Sequence, residues 1–176
     1  MKELIIGCGQ RLHKDIETNG NKKFDNPVTL DINPDCKPDV LWDLEKLPLP
    51  FKDNEFDEIH AYEVLEHTGQ QGDHKFFFDQ FTEFWRILKP GGLLCATTPK
   101  WDSTGAWGDP SHKRIINDMT LVFLSQYEYR KQVGMTPMTD FRYMYKADFD
   151  IIYIDKTESS LAFVLKAVKN EQVCNA

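Results

Sequence analysis

The chain has 176 residues, of which 28 are acidic and 21 are lysine or arginine, and its formal net charge is −7. This length suits one domain with its own core. A composition with 41% hydrophobic and 28% charged residues excludes collagen-like, coiled-coil and wholly disordered chains. The four cysteines include no C-x-x-C pair, so neither a zinc ribbon nor a redox pair is expected. No apolar run has the length of a secretory leader or a membrane span, so free thiols in the reducing cytoplasm are the expectation.

The net charge is concentrated in one short block of the sequence. Residues 31–66 hold eleven acidic residues and three lysines, a balance of −8, whereas residues 67–176 sum to zero. Such a block disfavours a nucleic-acid backbone lying across that surface, because nucleic-acid affinity needs clustered basic residues. Two interpretations stay open at this point: a solvated face that keeps the protein in solution, and carboxylates with a function.

Short apolar runs typical of strands alternate with longer segments. The predicted strands are, in chain order, residues 4–6, 28–30, 40–42, 56–62, 93–98, 150–154 and 161–168. Between the first two, the polar segment predicts a short helix or a loop. The clearest helix is predicted over residues 73–88, where Asp73 caps the start and the KPGG sequence at 89–92 ends it. A shorter helix is predicted from Asn117 or Asp118 to about Gln126.

Residues 127–145 are rich in tyrosine and methionine and contain Gly134 and Pro137, which break regular structure. This stretch is predicted to be an apolar loop. It forms either one wall of an acceptor pocket, a segment packed over the sheet edge, or a protein contact patch.

The alternation of strands and helices predicts an α/β fold with a doubly wound, mostly parallel sheet. A short turn joins the last two strands, so they must form an antiparallel hairpin. We expect one domain over 1–176, with a first half at 1–99, later loops and the hairpin at 100–170, and a short tail at 171–176. Ligands of such sheets bind beyond the carboxyl ends of the strands.

Three strand ends carry residues suited to a nucleoside. Gly7 and Gly9 follow the first strand and permit a close approach of the backbone to a ligand. Asp31 follows the second strand and suits ribose hydroxyls, while Asp43 and Leu44 follow the third and suit an adenine edge. Each feature alone is equally explained by a turn, a helix cap or a surface charge. Their succession favours a nucleoside site, although neither the dinucleotide fingerprint nor a P-loop is present.

Four further motifs follow in order: LPLPF at 47–51, NEFDEI at 54–59, VLEH at 64–67 and ILKPGGL at 87–93. With these motifs the chain resembles the class I S-adenosylmethionine-dependent methyltransferases over about residues 3–99. The resemblance implies a Rossmann-like fold and S-adenosylmethionine as the cofactor. It further implies that Gly7 and Gly9 approach the methionine part and Asp31 holds the ribose. Asp43 and Leu44 then contact the adenine, and Tyr62, Glu63 and His67 border the sulfonium.

The segment after the fifth predicted strand carries the candidates for the acceptor side. His112 is the leading candidate for a base or an acceptor contact, and His67 is the second. Trp101 and Trp107 supply an aromatic lining, and Lys113 and Arg114 either bind an anionic acceptor, pair with the acidic block or stay solvated. Glu66, His67, Asp73 and His74 form a metal site only if the intervening loop folds back, so no metal is expected.

The resulting function is methyl transfer to oxygen or nitrogen of a small or medium-sized acceptor, with nucleic acid less favoured and no membrane contact. The oligomeric state, monomer or homodimer, stays open. One alternative is a weakly active or inactive partner subunit, which Ile5, Arg11 and the polar first segment support. Another is a domain that binds a different adenosyl ligand. Within the acidic block, Asp31, Asp43 and Glu63 are assigned to the cofactor and the other acids to a solvated face.

Overall fold

The computed structural model describes residues 1–10, 13–18 and 20–169. Seven strands form one sheet in the order β3-β2-β1-β4-β5-β7-β6. The strands are β1 (Glu3–Ile6), β2 (Val28–Asp31), β3 (Val40–Leu41), β4 (Phe56–Tyr62), β5 (Leu88–Pro99), β6 (Phe149–Lys156) and β7 (Ser160–Ala167). Strands β1 to β5 pair in parallel, and β7 is antiparallel to both β5 and β6. The predicted fold class, with its antiparallel C-terminal hairpin, is confirmed.

The helices pack mainly against one face of this sheet. They are α1 (His74–Ile87), α2 (Thr104–Gly108), α3 (Asp118–Val122) and α4 (Gln126–Gln132), with short 3-10 turns at Pro34–Cys36 and Leu65–His67. In α1 the apolar stripe that includes Phe77, Phe81 and Phe84 is buried in the core. The side chain of Asp73 accepts a hydrogen bond from Phe76 N at 3.0 Å and caps α1, as the sequence predicted.

Two boundaries differ from the prediction. Strand β5 begins at Leu88, directly after α1, because Leu88 pairs with Phe56. The next pair is Glu58 with Leu93, so residues 89–92, which the sequence predicted as a turn, form an irregularity within β5. The single helix predicted to end near Gln126 is two helices, since the side chain of Ser125 accepts from Glu128 N and starts α4. Helix α4 therefore occupies the start of the stretch predicted as a loop.

The rest of that apolar stretch covers α1. The ring of Phe141 lies 5.0 Å from the ring of Phe78 and 5.5 Å from that of His74, and Tyr145 is fully buried. These contacts correspond to the packing alternative of the prediction and give the stretch a place in the core.

No helix connects β1 to β2 in the described ranges 7–10, 13–18 and 20–27, as the polar sequence predicted. Instead, this connection places the side chain of Lys14 on the face of the sheet opposite the helices, between Glu3 of β1 and Glu58 of β4. Beside it, Ile16 packs with Tyr62 and Cys95 in a small second apolar cluster. A buried ion pair and a few apolar contacts thus take the position of a helix.

Cys8, Cys36 and Cys95 are free thiols, as expected, and Cys174 and the predicted tail 171–176 lie outside the described residues. Among the helices of the described ranges, none combines the length and the apolar character needed to cross a membrane.

Candidate functional site

The carboxyl ends of β1 to β4 meet at one edge of the sheet and surround a cavity of about 410 Å³. This volume is within the range of small-molecule sites. The cavity brings together seven of the predicted site residues: Gly7, Gly9, Asp31, Asp43, Leu44, His67 and Lys113. Sequence reasoning missed its apolar wall residues Leu30, Ile32, Trp42 and Val64, because nothing in their local pattern separates a cavity wall from a core position.

Gly7 and Gly9, which follow β1, differ in the space that surrounds their Cα atoms. Both have positive φ angles, 60° for Gly7 and 50° for Gly9. A Cβ on Gly7 would lie 2.2 Å from Cγ2 of Val64, so the close packing of the turn against Val64 requires glycine. A Cβ on Gly9 would have no neighbour within 4 Å among the residues that the structure describes. Gly9 therefore presents bare backbone to the cavity, where a ligand can approach it closely.

Asp31 holds this glycine turn in place. It is buried, its Oδ2 accepts from Gly9 N at 2.8 Å, and its Oδ1 accepts from Asn33 N at 2.8 Å. A carboxylate has about four acceptor positions. The thiol of Cys8 also hydrogen-bonds this carboxylate, and the acceptor capacity that remains suits a ligand's hydroxyl group.

The far wall of the cavity is formed by the residues after β3. Leu44 is buried, and Asp43 is half-buried with its Oδ1 accepting from Glu45 N at 2.9 Å. Across the cavity, Ile32 exposes 65% of its surface. An apolar slot with a carboxylate at its rim suits a flat base with polar edges.

A smaller cavity of about 250 Å³ shares Gly7 and Gly9 with the first and continues toward β4. Ile5, Tyr62 and Glu63 line it, so the predicted residue Glu63 lies beside the glycine turn rather than in the larger cavity. Glu63 is exposed and has a φ angle of 52°, an uncommon conformation for a non-glycine residue. Arg11, which the sequence analysis singled out, lies outside the described residues.

The predicted acceptor-side residues lie where the 3-10 turn after β4 meets the loop after β5. Main-chain hydrogen bonds join the two segments, since the N–H groups of Lys113 and Arg114 donate to the carbonyl of Glu66 at 2.8 and 3.3 Å. This connection places His112 against His67, with ring centroids 4.7 Å apart. Burial raises the pKa of Glu66, which lies beneath both rings, to about 8.

The remaining acceptor-side candidates are divided by their exposure. Trp101 and Trp107 are exposed on the surface of the loop, where Trp107 Nε1 donates to the carbonyl of Trp101 at 2.8 Å. Lys113 pairs with Glu45 of the acidic block at 2.8 Å. Arg114 is buried, and its guanidinium donates to the Leu65 carbonyl at 3.0 Å and also to the side chains of Thr68 and Gln80. This burial gives Arg114 a structural role in place of the substrate contact that the sequence suggested.

A larger opening of about 980 Å³ lies elsewhere, lined by Asp53, Arg86, Pro90 and Val168 among others. Pro90 is near the start of β5 and Val168 follows the antiparallel β7, so this opening faces the amino ends of the parallel strands. Ligands of open α/β sheets bind at the carboxyl ends. The cavity of 410 Å³ is therefore the candidate functional site.

Comparison with known proteins identifies the family of the chain. A family model described as "Methyltransferase domain" matches residues 6–96, which include β1 to β4 and most of β5. No curated protein sequence matches the chain significantly.

Several solved structures have the same fold at low sequence identity. A SAM-dependent methyltransferase from Archaeoglobus fulgidus aligns with a TM-score of 0.57 at 15% identity, covering 94% of this chain and 85% of that one. The N-methyltransferase NodS from Bradyrhizobium japonicum WM9, in complex with S-adenosyl-L-homocysteine, aligns with a TM-score of 0.56 at 14% identity, covering 96% and 78%. The [4+2]-cyclase SpnF aligns with a TM-score of 0.58 at 15% identity, covering 96% and 75%. At these identities the likeness concerns the fold alone, and the cyclase illustrates that one fold carries more than one chemistry.

Proposed function

The chain belongs to the methyltransferase domain family, and from this premise we propose that it transfers a methyl group from S-adenosylmethionine to oxygen or nitrogen of a small or medium-sized acceptor. The observation that carries the proposal is the convergence of Gly9, Asp31, Asp43 and Leu44 on one cavity at the carboxyl ends of the strands. S-adenosylmethionine is the cofactor of the reaction. When bound, it would supply an electrophilic methyl group on a sulfonium: an acceptor lone pair would bond to the methyl carbon in line with the C–S bond, and the electron pair of that bond would stay on sulfur.

The residues at the cavity fit this cofactor. The remaining acceptor capacity of Asp31 matches a ribose hydroxyl, and the apolar slot between Ile32 and Leu44 matches the adenine. The bare backbone of Gly9 leaves room for the chain that joins the ribose to the methionine. In the adjoining cavity Glu63 supplies a carboxylate for the methionine ammonium group. We assign the cofactor contacts to Gly7, Gly9, Asp31, Asp43, Leu44 and Glu63.

The acceptor is assigned to the side of His67, which lines the cofactor cavity and contacts His112. We assign an acceptor contact also to Trp101 and Trp107, which are exposed on the loop that carries His112. The chemical step of such a displacement depends mainly on holding the two reactants in line. The rigid turn that carries His67 and the loop that carries His112 supply this positioning.

A small acceptor is favoured over a nucleic acid by the state of the basic residues after β5. Lys100, Lys113 and Arg142 pair with the carboxylates of Asp102, Glu45 and Asp140 at 2.8 to 3.0 Å, and Arg114 is buried. Cations engaged in this way do not form the continuous basic stripe that a phosphate backbone requires.

Calorimetric titration with S-adenosylhomocysteine tests the cofactor site. We expect binding in the wild type and a loss of at least about tenfold in affinity for Asp31→Ala, because the variant loses the acceptors for the ribose and for Gly9 N. Asp35→Ala, an exposed aspartate in the same acidic block, is the matched control and should bind as the wild type does. Absence of binding to the folded wild type at millimolar concentration would overturn the proposal.

An acceptor screen that measures S-adenosylhomocysteine release tests the transfer itself. His112→Ala should reduce turnover on any acceptor found by about a hundredfold or more, while its affinity for S-adenosylhomocysteine stays within about twofold of the wild type. Equal losses of turnover and cofactor affinity would contradict the acceptor-side assignment. Cofactor binding without turnover on any acceptor class would favour the partner-subunit alternative.

A further inference from the structure

Three side chains with metal-binding atoms converge at the border of the cofactor cavity. One ligand atom each from Glu66, His67 and His112 lies within 4.8 Å of the other two. Nε2 of His67 is 3.9 Å and Nε2 of His112 is 4.0 Å from Oε1 of Glu66. These separations are too long for hydrogen bonds. Two atoms that bind one ion at about 2.1 Å each lie about 3.4 Å apart in a tetrahedral site and at most about 4.2 Å apart, so these separations admit an ion and shorten when it binds.

Glu66 lacks the partners that burial demands. Its side chain is 3% exposed, and neither carboxylate oxygen has a hydrogen-bond partner among the described residues. The guanidinium of Arg114 is the neighbouring cation, but its hydrogen bonds go to Leu65, Thr68 and Gln80. A buried glutamate without hydrogen-bond partners is either a neutral acid or a carboxylate that a bound cation compensates.

The two histidines are held in the tautomer that a metal requires. Nδ1 of His112 is 3.2 Å from the carbonyl of Ala106, and Nδ1 of His67 is 3.3 Å from the carbonyl and 3.1 Å from Oγ of Ser111. A carbonyl only accepts, so Nδ1 carries the proton in both rings. In the neutral form of each ring, Nε2 then presents a lone pair on the side of Glu66, and Nε2 of His112 also lies 3.8 Å from Oδ2 of Asp109. Metal-bound histidines in proteins are oriented in the same way, by donating the other ring N–H to a carbonyl or carboxylate.

We propose that Glu66, His67 and His112 bind one divalent transition-metal ion through the Glu66 carboxylate and the two Nε2 atoms. Two imidazoles and one carboxylate suit Mn²⁺, Fe²⁺, Co²⁺ or Zn²⁺, whereas Ca²⁺ and Mg²⁺ prefer oxygen ligands throughout. The sequence predicted no metal because it grouped Glu66 and His67 with Asp73 and His74. The structure instead uses Asp73 to cap α1, places His74 against Phe141, and brings in His112 from the loop after β5.

The position of the ion also favours a hydroxyl group as the acceptor, and this inference rests on the proposed function. Three protein ligands leave coordination positions open, and His67 lines the cofactor cavity, so an acceptor hydroxyl can bind the ion beside the cofactor. Metal binding lowers the pKa of such a hydroxyl. The hydroxyl releases its proton to solvent, its oxygen forms the bond to the methyl carbon, and the electron pair of the broken C–S bond stays on sulfur. Neither histidine is then a base, since both ring nitrogens of each are engaged, and oxygen is favoured over nitrogen as the methylated atom.

Titration of the chelator-treated full chain with Co²⁺, followed by visible absorption and by calorimetry with Mn²⁺ and Zn²⁺, tests the metal site without cofactor or acceptor. We expect one equivalent of Co²⁺ per chain with the absorption of a protein-bound ion. His67→Ala, His112→Ala and Glu66→Gln should each weaken binding by about a hundredfold. His74→Ala removes a histidine from the same region and should bind as the wild type does. Near-ultraviolet circular dichroism confirms that each variant is folded, and half-exposed His67 provides the substitution least disruptive to the core.

Two results would overturn the inference: no stoichiometric binding to the folded wild type, or binding that survives both His67→Ala and His112→Ala. The titration with S-adenosylhomocysteine reports on the cofactor site separately. If S-adenosylhomocysteine binds and Co²⁺ does not, the metal site is wrong and the proposed function stands. If Co²⁺ binds with the expected variant pattern and S-adenosylhomocysteine does not, the metal site stands and the methyl-transfer proposal is wrong.

Discussion

Lys14→Met tests the buried ion pair that Lys14 forms between β1 and β4. The side chain of Lys14 is fully buried, and its Nζ lies 2.5 Å from Glu3 Oε1, 2.8 Å from Glu58 Oε2 and 3.0 Å from Thr18 Oγ1. Methionine keeps the length and the apolar stem of lysine but removes the charge. The variant therefore leaves two buried carboxylates facing each other without their cation.

We expect Lys14→Met to destabilise the protein by about 4 kcal/mol at pH 7, since removing one partner of a buried ion pair costs about 3–5 kcal/mol. This loss of stability should be smaller at acidic pH than at pH 7. Burial acts to raise the pKa of Glu58, but hydrogen bonds from His60, Lys14 and Thr18 outweigh it and lower that pKa to about 2. Without Lys14 the carboxylates protonate more readily on acidification, so the deficit of the variant should shrink as the pH falls toward 3.

Urea unfolding followed by circular dichroism at pH 7 and pH 3 measures both effects. Lys22→Met is the matched control, because Lys22 pairs with Glu17 at 3.4 Å with side chains that are 77% and 45% exposed. An exposed pair of this kind contributes at most about 1 kcal/mol. If Lys14→Met and Lys22→Met destabilise the protein equally, or if the deficit of Lys14→Met is the same at both pH values, the reasoning is refuted.

Two further predictions follow from the same geometry. Gly7→Ala should lower the free energy of unfolding by about 3 kcal/mol, because its Cβ collides with Val64. Gly9→Ala should lower it by only about 1 kcal/mol, because of the positive φ angle, but should weaken S-adenosylhomocysteine binding about tenfold or more. Equal stabilities of the two variants would contradict this assignment. The free energy of unfolding of the wild type should fall by about 3 kcal/mol as the pH drops from about 4.5 to about 2, because the lowered pKa of Glu58 stabilises the fold fully only above that range. Glu58→Gln should flatten this pH dependence in denaturant titrations. Parallel pH profiles for the two proteins would show that Glu58 is not the responsible group.

The cofactor side of the site was predictable because its signals are local. Gly7, Asp31 and Asp43 each follow a short apolar run, and parallel strands bring their carboxyl ends to one edge whatever lies between them. The loop between β1 and β2 was predictable for a similar reason, since its sequence lacks helical periodicity. The role of Lys14 in that loop was not, because one lysine in a polar segment carries no sign of burial.

The acceptor side depends on a contact between distant parts of the chain. Glu66 and His67 meet His112 only because the main chain of Lys113 docks on the carbonyl of Glu66, and no sequence spacing encodes that hydrogen bond. Proximity along the chain suggested Asp73 and His74 instead, but Asp73 caps helix α1 and His74 packs against Phe141. The burial of Arg114 was hidden in the same way, since its partners Thr68 and Gln80 lie far from it in sequence.

The acidic block that dominates the charge of the sequence is more than a solvated face, because several of its carboxylates have specific partners. Within the block, buried Glu58 contacts Lys14 and Thr18, and buried Asp31 accepts from two main-chain N–H groups. Outside the block, buried Glu3 contacts Lys14 and Asp25 N. Glu66 is the exception, with both oxygens unpartnered. In the metal site proposed above, the partner of Glu66 is a cation bound by its carboxylate and by the two Nε2 atoms that face Glu66 Oε1.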